Sequence, residues 1–279
     1  MKEIKRAVAD AALKVAEDIG ANSIIVLSRE NMLEDAKTKI PVLHIKRSFM
    51  PAGQFISTDL SQKNISRDLF YRTTSGIGRL EDEALVAYIN SKIKGELIVG
   101  VVDFNNTDSI IVLDLNETEV FKKLKDCGDR VNPEVIRAVL FIALKLGVEG
   151  YEGRKIGTAF IVGDSKEVLK RSYQSVLNPF KAHDVNITDP ENWNVIKEFA
   201  QLDGMFIVSE QGNVLNAGRY IKTGAKNIEI QSGLGGRHIA AASISYDTQA
   251  LGITLSQSGV VRLYRDGVAI IEFDSDTLL

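Results

Sequence analysis

Apolar residues recur at three- and four-residue spacing near the beginning of the chain, from Ile4 to Ile19. This spacing predicts an amphipathic helix over residues 3–19, and Gly20 follows it as a stop. Short runs of β-branched and aliphatic residues then alternate with helix-compatible segments. The predicted strands are residues 23–27, 41–45, 97–102 and 110–115, and the predicted helices are residues 30–39 and 81–92. Such alternation predicts a parallel sheet in a small, doubly wound α/β domain.

A polar, turn-rich segment at residues 126–129 separates this pattern from a second one. Pro133 then opens a new helical pattern that runs to about Leu146. We therefore predict a first domain at residues 1–126 and a second at residues 127–279. In the second domain the predicted strands are residues 158–162, 205–209, 214–217, 250–255, 260–264 and 268–273, with helices from residue 165, at 190–202 and at 237–245. This order predicts a mixed sheet surrounded by helices.

Composition narrows the classes of protein that fit this pattern. The chain has 279 residues, of which 44% are hydrophobic and 25% charged, as in ordinary globular proteins. A net charge of -3 without any Lys/Arg block argues against broad nucleic-acid binding. No run approaches the roughly 18 apolar residues of a membrane span, and the charged N-terminus is unlike a signal peptide. We therefore expect a cytoplasmic protein, and the single cysteine, Cys127, excludes an intrachain disulfide.

A carboxylate lies between a predicted helix and a predicted strand, at Asp203-Gly204. A carboxylate there can hold a divalent metal or accept a proton, and the glycine lets a ligand approach the backbone. Asp-Gly is also a common turn dipeptide, so a purely structural role stays open.

A glycine-rich segment, residues 233–238, opens the predicted helix that contains Arg237 and His238. Backbone N–H groups at a helix start attract phosphate, and an arginine can bind two phosphate oxygens at once. The segment fits neither the P-loop nor the dinucleotide-binding pattern, and a flexible loop with a capping histidine is the alternative. Ser256 and Ser258 follow a predicted strand, where their hydroxyls could reach phosphate oxygens.

Taken in order, these elements resemble the diadenylate cyclase domain, the family that includes the catalytic domain of the bacterial DNA integrity scanning protein. The segments that carry the resemblance are residues 157–164, Asn178-Pro179-Phe180, Leu202-Asp203-Gly204, Ala217-Gly218, Gly236-Arg237-His238 and Ser256-Gln257-Ser258. Residues 11–45 look like the C-terminal α/β domain of pyruvate kinase. That pairing resembles the archaeal type of diadenylate cyclase.

The resemblance implies an enzyme that condenses two ATP into cyclic di-AMP and releases two pyrophosphates, with Mn²⁺ or Mg²⁺ as cofactor. It implies catalytic roles for Asp203, Arg237 and His238, of which Asp203 and His238 would touch the metal. The residues that it places at the nucleotide are Gly204, Met205, Gly218, Ile221, Gly235, Gly236, Arg237, Ser256 and Ser258.

The chain departs from the family pattern at two positions. The usual Asp-Gly-Ala reads Asp203-Gly204-Met205 here, and the usual Arg-His-Arg ends in Ile239. The second change removes a phosphate-binding cation, which Arg219, Arg262 or Arg265 could replace.

One domain holds one ATP, whereas the cyclic product needs two reciprocal bonds. We therefore expect a homo-oligomer in which two cyclase domains face each other. A noncatalytic regulator that binds ATP or cyclic di-AMP is the alternative. A DNA-sensing module is a third reading, but the chain has neither basic patches nor a helix-hairpin-helix segment to support it.

Overall fold

The computed structural model describes residues 2–46, 76–104, 107–222 and 233–275. The chain forms two compact units, Met1–Phe121 and Lys122–Leu279. The first contains a four-stranded sheet and the second a seven-stranded sheet. The division after Phe121 falls inside a short helix, which the sequence pattern did not predict. Among the described residues, no helix combines the length and the apolar character that crossing a bilayer requires.

The first unit combines helices with a mostly parallel sheet. Its elements are α1 (Lys2–Asp18), β1 (Ser23–Ser28), β2 (Val42–Lys46), α2 (Gly76–Ile89), β3 (Leu97–Phe104) and β4 (Thr107–Asp114). The strand order is β2-β1-β3-β4, with β1 parallel to both β2 and β3. Strand β4 is antiparallel to β3, so the prediction of a wholly parallel sheet is wrong at this edge. Only residues 105 and 106 separate β3 from β4, and a parallel crossover needs a much longer connection.

Helices cover both faces of this sheet. On one face, alanines of α1 such as Ala12 pack against β-branched residues such as Ile24 and Val99. On the other face, the Leu80 side chain of α2 lies against Gly100, where a Cβ atom would come within 2.2 Å of it. Successive strand residues point to opposite faces, which is why neighbouring positions of β3 meet different helices.

The helix predicted at residues 30–39 is absent, although the structure describes this segment completely. The Asn31 Oδ1 atom accepts a hydrogen bond from the Leu33 N–H at 3.1 Å, and Thr38 Oγ1 accepts one from the Ile40 N–H at 3.1 Å. Asparagine and threonine side chains that bond their own backbone in this way favour turns over helices. The segment therefore passes from β1 to β2 as a series of turns.

The second unit is built on a mixed sheet, which confirms the predicted fold class. Its helices are α3 (Glu119–Asp126), which begins in the first unit, α4 (Pro133–Glu149), α5 (Ser165–Lys170), α6 (Trp193–Phe199) and α7 (Gly236–Asp247). Its strands are β5 (Thr158–Val162), β6 (Ser172–Gln174), β7 (Met205–Val208), β8 (Val214–Ile221), β9 (Leu251–Leu255), β10 (Val260–Arg265) and β11 (Val268–Asp274). The order is β11-β10-β9-β5-β7-β8-β6, in which β5 and β7 are parallel and the other neighbours antiparallel.

Helices α4 and α7 lie on opposite faces of this sheet. Ala241 of α7 approaches Gly252 so closely that a Cβ atom there would lie 2.8 Å from the alanine Cβ. Gly147 of α4 meets the side chain of Leu255, which points to the other face of the same strand. The close approach at Gly252 seats α7 directly on the sheet, and this placement brings its first turn to the site described next.

Candidate functional site

Strand register brings several chain segments to one edge of the seven-stranded sheet. Asp203 precedes the first residue of β7, Met205, which pairs with Arg219 near the end of β8. Strand β5 is parallel to β7, and its first residue, Thr158, pairs with Leu255, the last residue of β9. The turn of Asp203 and Gly204 before β7, the end of β8 and the turn after β9 therefore lie along the same edge.

Helix α7 begins at this edge as well. His238 in its first turn contacts Thr254 near the end of β9, whereas Ala241 lies over Gly252, further back along the strand. In its last turns, Ser245 Oγ accepts a hydrogen bond from the Gly267 N–H at 3.1 Å, beyond the opposite end of the sheet. The helix thus runs antiparallel to β9, and its N-terminus points towards the Asp203 edge.

Asp203 and Arg237 meet at this edge, although they are 34 positions apart in the chain. Arg237 Nη2 lies 3.1 Å from Asp203 Oδ1, which also accepts the Gly204 N–H at 3.0 Å. The Tyr220 hydroxyl donates to the other carboxylate oxygen, Oδ2. This hydrogen bond is the main cause that holds the pKa of Asp203 below its usual value, with smaller contributions from the Gly204 N–H and from Arg237. The carboxylate is 77% exposed and is therefore both ionised and accessible at neutral pH.

Gly204 makes this arrangement possible. Its φ of +99° lies in the left-handed region, and a Cβ atom would sit 2.7 Å from the Gly218 carbonyl carbon and 2.8 Å from the Arg219 nitrogen. At Gly218, with φ +69°, an added Cβ atom would likewise come within 2.5 Å of the Val176 side chain. Two glycines therefore let the Asp203 turn lie directly against the end of β8.

His238 faces the interior. It is 6% exposed, and its Nδ1 atom lies 2.9 Å from the Tyr264 hydroxyl and 3.0 Å from Thr254 Oγ1, both of which are buried. Burial, together with the positive charge of Arg262, lowers the pKa of His238 to about 4, so the ring is neutral at pH 7. The first turn of α7 thus presents Arg237 outwards to Asp203 and His238 inwards to the sheet.

This burial predicts a stability that depends on pH. The unfolded chain takes up a proton at His238 near pH 6.5, whereas the folded chain does so only near pH 4. Between these values the unfolded state binds more protons, so the stability present above pH 6.5 is lost as the pH falls. We expect this site to reduce the free energy of unfolding by on the order of 1–2 kcal/mol from pH 7 to pH 5.

Urea denaturation at the two pH values measures this difference. The wild-type chain should lose more stability than the His238→Gln variant over the same interval, since all other titrating groups are common to both. Equal losses of unfolding free energy in the two proteins would contradict the lowered pKa of His238.

Ser256 and Ser258 lie at the β9–β10 turn of the same edge. Their hydroxyl oxygens are 2.7 Å apart, and Ser256 Oγ also accepts the Val260 N–H at 3.0 Å. Gly235 and Gly236 stand at the start of α7, and a Cβ atom at either would meet nothing within 4 Å in the part of the chain that the structure describes. The turn and the helix start therefore leave room at the edge for a ligand.

Two of the predicted nucleotide contacts belong to the core instead of the surface. The Met205 side chain is buried among Ala159, Ile207 and the alanines of α7, because it follows the alternation of β7. Ile221 is partly buried against the same cluster. Any contact of Met205 with a nucleotide therefore has to come from its backbone, whereas Gly204 before it lies at the edge.

The three arginines considered as substitutes for a second phosphate-binding cation are engaged elsewhere. Arg219 donates to Ser172 Oγ at 2.6 Å and to the Leu169 carbonyl at 2.9 Å. Arg262 pairs with Glu272 at 2.8 Å. Arg265 pairs with Asp129 at 2.7 Å, and as the last residue of β10 it lies at the edge opposite to Asp203. Arg237 is the cation that the structure places on Asp203.

Sequence reasoning missed Tyr220, which contacts Asp203 directly. Its ring stacks on Tyr173 of β6, with centroids 5.7 Å apart and planes 19° from parallel. No local sequence signal marks it: Tyr220 follows Arg219, which pairs with Met205, and this strand register puts it beside the Asp203 turn.

The donor set at this edge suits a metal that is shared with a substrate. Within residues 2–46, 76–104, 107–222 and 233–275, no three His, Cys, Asp or Glu side chains are grouped as a protein-only metal site. Mg²⁺ is usually held by one or two carboxylates together with phosphates and water. Asp203 Oδ2 accepts one hydrogen bond and keeps a lone pair, so this single exposed carboxylate fits such a site.

Each of the two units contains a segment that matches a known protein family. Residues 145–269 match the family described as DisA bacterial checkpoint controller nucleotide-binding. The second unit is therefore similar to the nucleotide-binding domain of this family. The edge that joins Asp203, Arg237 and the Ser256 turn lies within the matched residues of this domain.

Two curated relatives from archaea bear the name diadenylate cyclase. The one from Methanocaldococcus jannaschii is 37% identical over 171 residues, which are 60% of this chain and 55% of that protein. The one from Haloferax volcanii is 40% identical over 150 residues, 53% of this chain and 56% of that protein. The chain thus aligns with about half the length of each relative. A solved structure of DacA from Staphylococcus aureus aligns with 48% of this chain and 83% of its own at 20% identity, with a TM-score of 0.36.

The first unit requires a correction. Residues 7–116 match the family described as probable sensor domain DacZ_A, not the C-terminal domain of pyruvate kinase. The resemblance rested on alternating helices and strands, a pattern that many α/β domains share because it reflects burial and not function.

Proposed function

We propose that the chain is a diadenylate cyclase, which condenses two ATP molecules into cyclic di-AMP and releases two pyrophosphates. The observation that carries this proposal is the convergence of Asp203 with Arg237 at one sheet edge, 3.1 Å apart, within the DisA-type domain. The names of the two archaeal relatives support the same activity.

The reaction consists of two equivalent substitutions. In each, the 3′-hydroxyl oxygen of one ATP attacks the α-phosphorus of the other, and the bond from that phosphorus to the bridging oxygen of pyrophosphate breaks. Pyrophosphate leaves with the bonding electrons, and the hydroxyl proton passes to the surrounding base or solvent. Such a step depends mainly on alignment of the two substrates and on neutralising charge at the phosphates.

Asp203 is the residue that would hold the divalent metal, Mn²⁺ or Mg²⁺, together with phosphate oxygens. When bound, the metal neutralises phosphate charge and polarises the reacting phosphorus–oxygen bonds. Asp203 suits this task because it is ionised and exposed. Its orientation is held by the Tyr220 hydroxyl and by the Gly204 N–H.

The rest of the edge would bind the triphosphate and nucleoside. Arg237 and the open helix start at Gly235 and Gly236 offer a guanidinium and backbone N–H groups to phosphate oxygens. The exposed hydroxyls of Ser256 and Ser258 extend this surface along the same edge. Gly204 before β7, Gly218 in β8 and the exposed part of Ile221 at the end of β8 would border the ribose or adenine.

The cyclic product requires two such edges that face each other, because the two new bonds are reciprocal. A homo-oligomer with paired cyclase domains provides this geometry. Each copy would then contribute its own Asp203 and Arg237 to one of the two nucleotides.

Incubation of the purified chain with ATP and Mn²⁺ or Mg²⁺ tests the function. Mass spectrometry should show cyclic di-AMP and two pyrophosphates for each product. At protein concentrations below the dissociation constant of the homo-oligomer, the rate per mole of protein should fall on dilution, because only paired cyclase domains can form both bonds of the cyclic product.

Nucleotide binding without turnover would contradict the cyclase function. If calorimetry detects tight binding of ATP or cyclic di-AMP while no product forms with either metal, the chain is a nucleotide-binding regulator and the cyclase proposal fails.

A further inference from the structure

The first turn of α7 lacks the usual means of fixing a helix start. Its N-cap residue is Gly235, which has no side chain to cap the helix. At Gly235 and Gly236, no atom of the described residues lies within 4 Å of where a Cβ atom would stand. The Gly235 carbonyl accepts the N–H groups of His238 and Ile239, at 3.0 and 3.3 Å, and these bonds lie within the turn itself. Ala241 seats the following turn of the helix on Gly252, and a contact within the first turn is what would fix its direction.

His238 supplies that contact. Its Nδ1 atom reaches two buried hydroxyls, Tyr264 on β10 at 2.9 Å and Thr254 on β9 at 3.0 Å. Tyr264 is 2% exposed and Thr254 is fully buried. The imidazole thus joins the helix to two neighbouring strands, at positions that are diagonal to each other in the strand register.

The His238 ring and the hydroxyls of Tyr264 and Thr254 form a buried polar cluster. A neutral imidazole nitrogen has either one lone pair or one N–H, so Nδ1 can make only one full hydrogen bond. The Tyr264 and Thr254 hydroxyls therefore share Nδ1, at 2.9 and 3.0 Å. Buried polar networks of this kind specify one arrangement, because any shift leaves a buried polar group unpaired.

We propose that His238 is a positioning residue, which fastens the first turn of α7 to Thr254 and Tyr264 and thereby holds Arg237 against Asp203. Arg237 and His238 are consecutive on the helix, so they project about 100° apart. Fixing the inward direction of His238 fixes the outward direction of Arg237, whose Nη2 lies 3.1 Å from Asp203 and whose Nε lies 3.5 Å from the Gly204 carbonyl. This inference rests on the proposed function only for its kinetic readout.

The kinetic test removes the hydroxyls and leaves His238 and Arg237 in place. Tyr264→Phe and Thr254→Val should each raise KM for ATP about tenfold and change kcat less than about twofold, because phosphate binding by Arg237 is affected and the reacting groups are not. The metal concentration for half-maximal rate should stay unchanged. Tyr246→Phe, an exposed hydroxyl on the same helix, is the matched control and should leave KM unchanged.

A double-mutant cycle separates positioning from general loss of packing. The affinity for α,β-methylene ATP, which cannot release pyrophosphate, is measured by calorimetry. Tyr264→Phe should weaken binding about tenfold with Arg237 present and less than about twofold in the Arg237→Ala background. Equal weakening in both backgrounds would overturn the proposal, and Thr254→Val serves the same cycle if Tyr264→Phe does not fold.

A further measurement, hydrogen exchange, does not depend on catalysis. Hydrogen exchange at the His238 and Ile239 amides should accelerate about tenfold in Tyr264→Phe but not in Tyr246→Phe. Unchanged exchange refutes the positioning role even if the chain is an active cyclase. Accelerated exchange supports the role even if no cyclic product is found, so failure of the two proposals can be told apart.

His238→Asn and His238→Gln provide the conservative comparison. The asparagine amide lies where Nδ1 lies, whereas the glutamine amide lies where Nε2 lies. Asparagine should therefore restore ATP affinity better than glutamine. The reverse order, or a raised metal requirement in the Asn variant alone, would indicate a ligand role for Nε2 and contradict the proposal.

Discussion

Replacing Asp203 by asparagine is expected to lower the rate of cyclic di-AMP formation by at least about a hundredfold, the usual scale for losing an electrostatic group at a reacting phosphate. Asparagine retains one oxygen, which can accept the Gly204 N–H, and its amide N–H can donate to the Tyr220 hydroxyl oxygen in place of the bond that Oδ2 accepts, so the shape of the turn should persist. The negative charge that would hold the metal is lost. The effect should appear mainly in kcat and in the metal concentration required.

Folding should change little in this variant, because Asp203 is largely exposed and its ion pair with Arg237 lies at the surface. Thermal unfolding and the rate of product formation measure the two effects separately. Asp247→Asn is the matched control, since this carboxylate is exposed at the other end of α7. If the Asp203→Asn enzyme retained more than about a tenth of the wild-type rate, Asp203 would not be the metal ligand.

Replacing Gly204 by alanine is expected to lower the free energy of unfolding by about 3 kcal/mol and to abolish most of the activity. The left-handed backbone at φ +99° costs an alanine about 1 kcal/mol, and overlap with the backbone of β8 adds about 2 kcal/mol more. The overlapping atoms, 2.7 and 2.8 Å away, are backbone and cannot rotate aside. The turn would have to move away from β8, and Asp203 would move with it.

Gly153→Ala is the matched control for this variant. Gly153 also has a left-handed backbone, with φ +73°, but a Cβ atom there would meet nothing within 4 Å. It should therefore show only the backbone cost of about 1 kcal/mol, with unchanged activity. Urea denaturation gives both values. A Gly204→Ala protein as stable as Gly153→Ala would contradict the packing described for the Asp203 turn.

The sequence pattern predicted most elements because burial leaves a regular trace along the chain. Alternating or continuous apolar residues located β5, β9 and β10 within a residue or two of their observed bounds. The prediction was wrong for residues 30–39, where side-chain hydrogen bonds at Asn31 and Thr38 favour turns. It was also wrong for the edge of the first sheet, where the short link before Thr107 requires an antiparallel strand.

The residues of the candidate site were predictable only where their type and their neighbours in the sequence indicate a function. A carboxylate next to a glycine, and an arginine at a glycine-rich helix start, indicate metal and phosphate binding wherever they occur together. Tyr220 carried no such local signal, because its role depends on which strand lies beside Asp203. The sequence did not predict that the Arg237 and His238 side chains point in different directions, since it does not show which of two adjacent helical residues faces a sheet.

The sequence by itself determined the two α/β patterns and the order of the short motifs in the second half of the chain, because apolar periodicity and short motifs are local properties. Only the tertiary structure decided that Asp203, Tyr220 and Arg237 share one edge and that His238 turns inwards. Those facts depend on strand register and on the close seating of α7 at Gly252, which are set by packing between residues far apart in the chain.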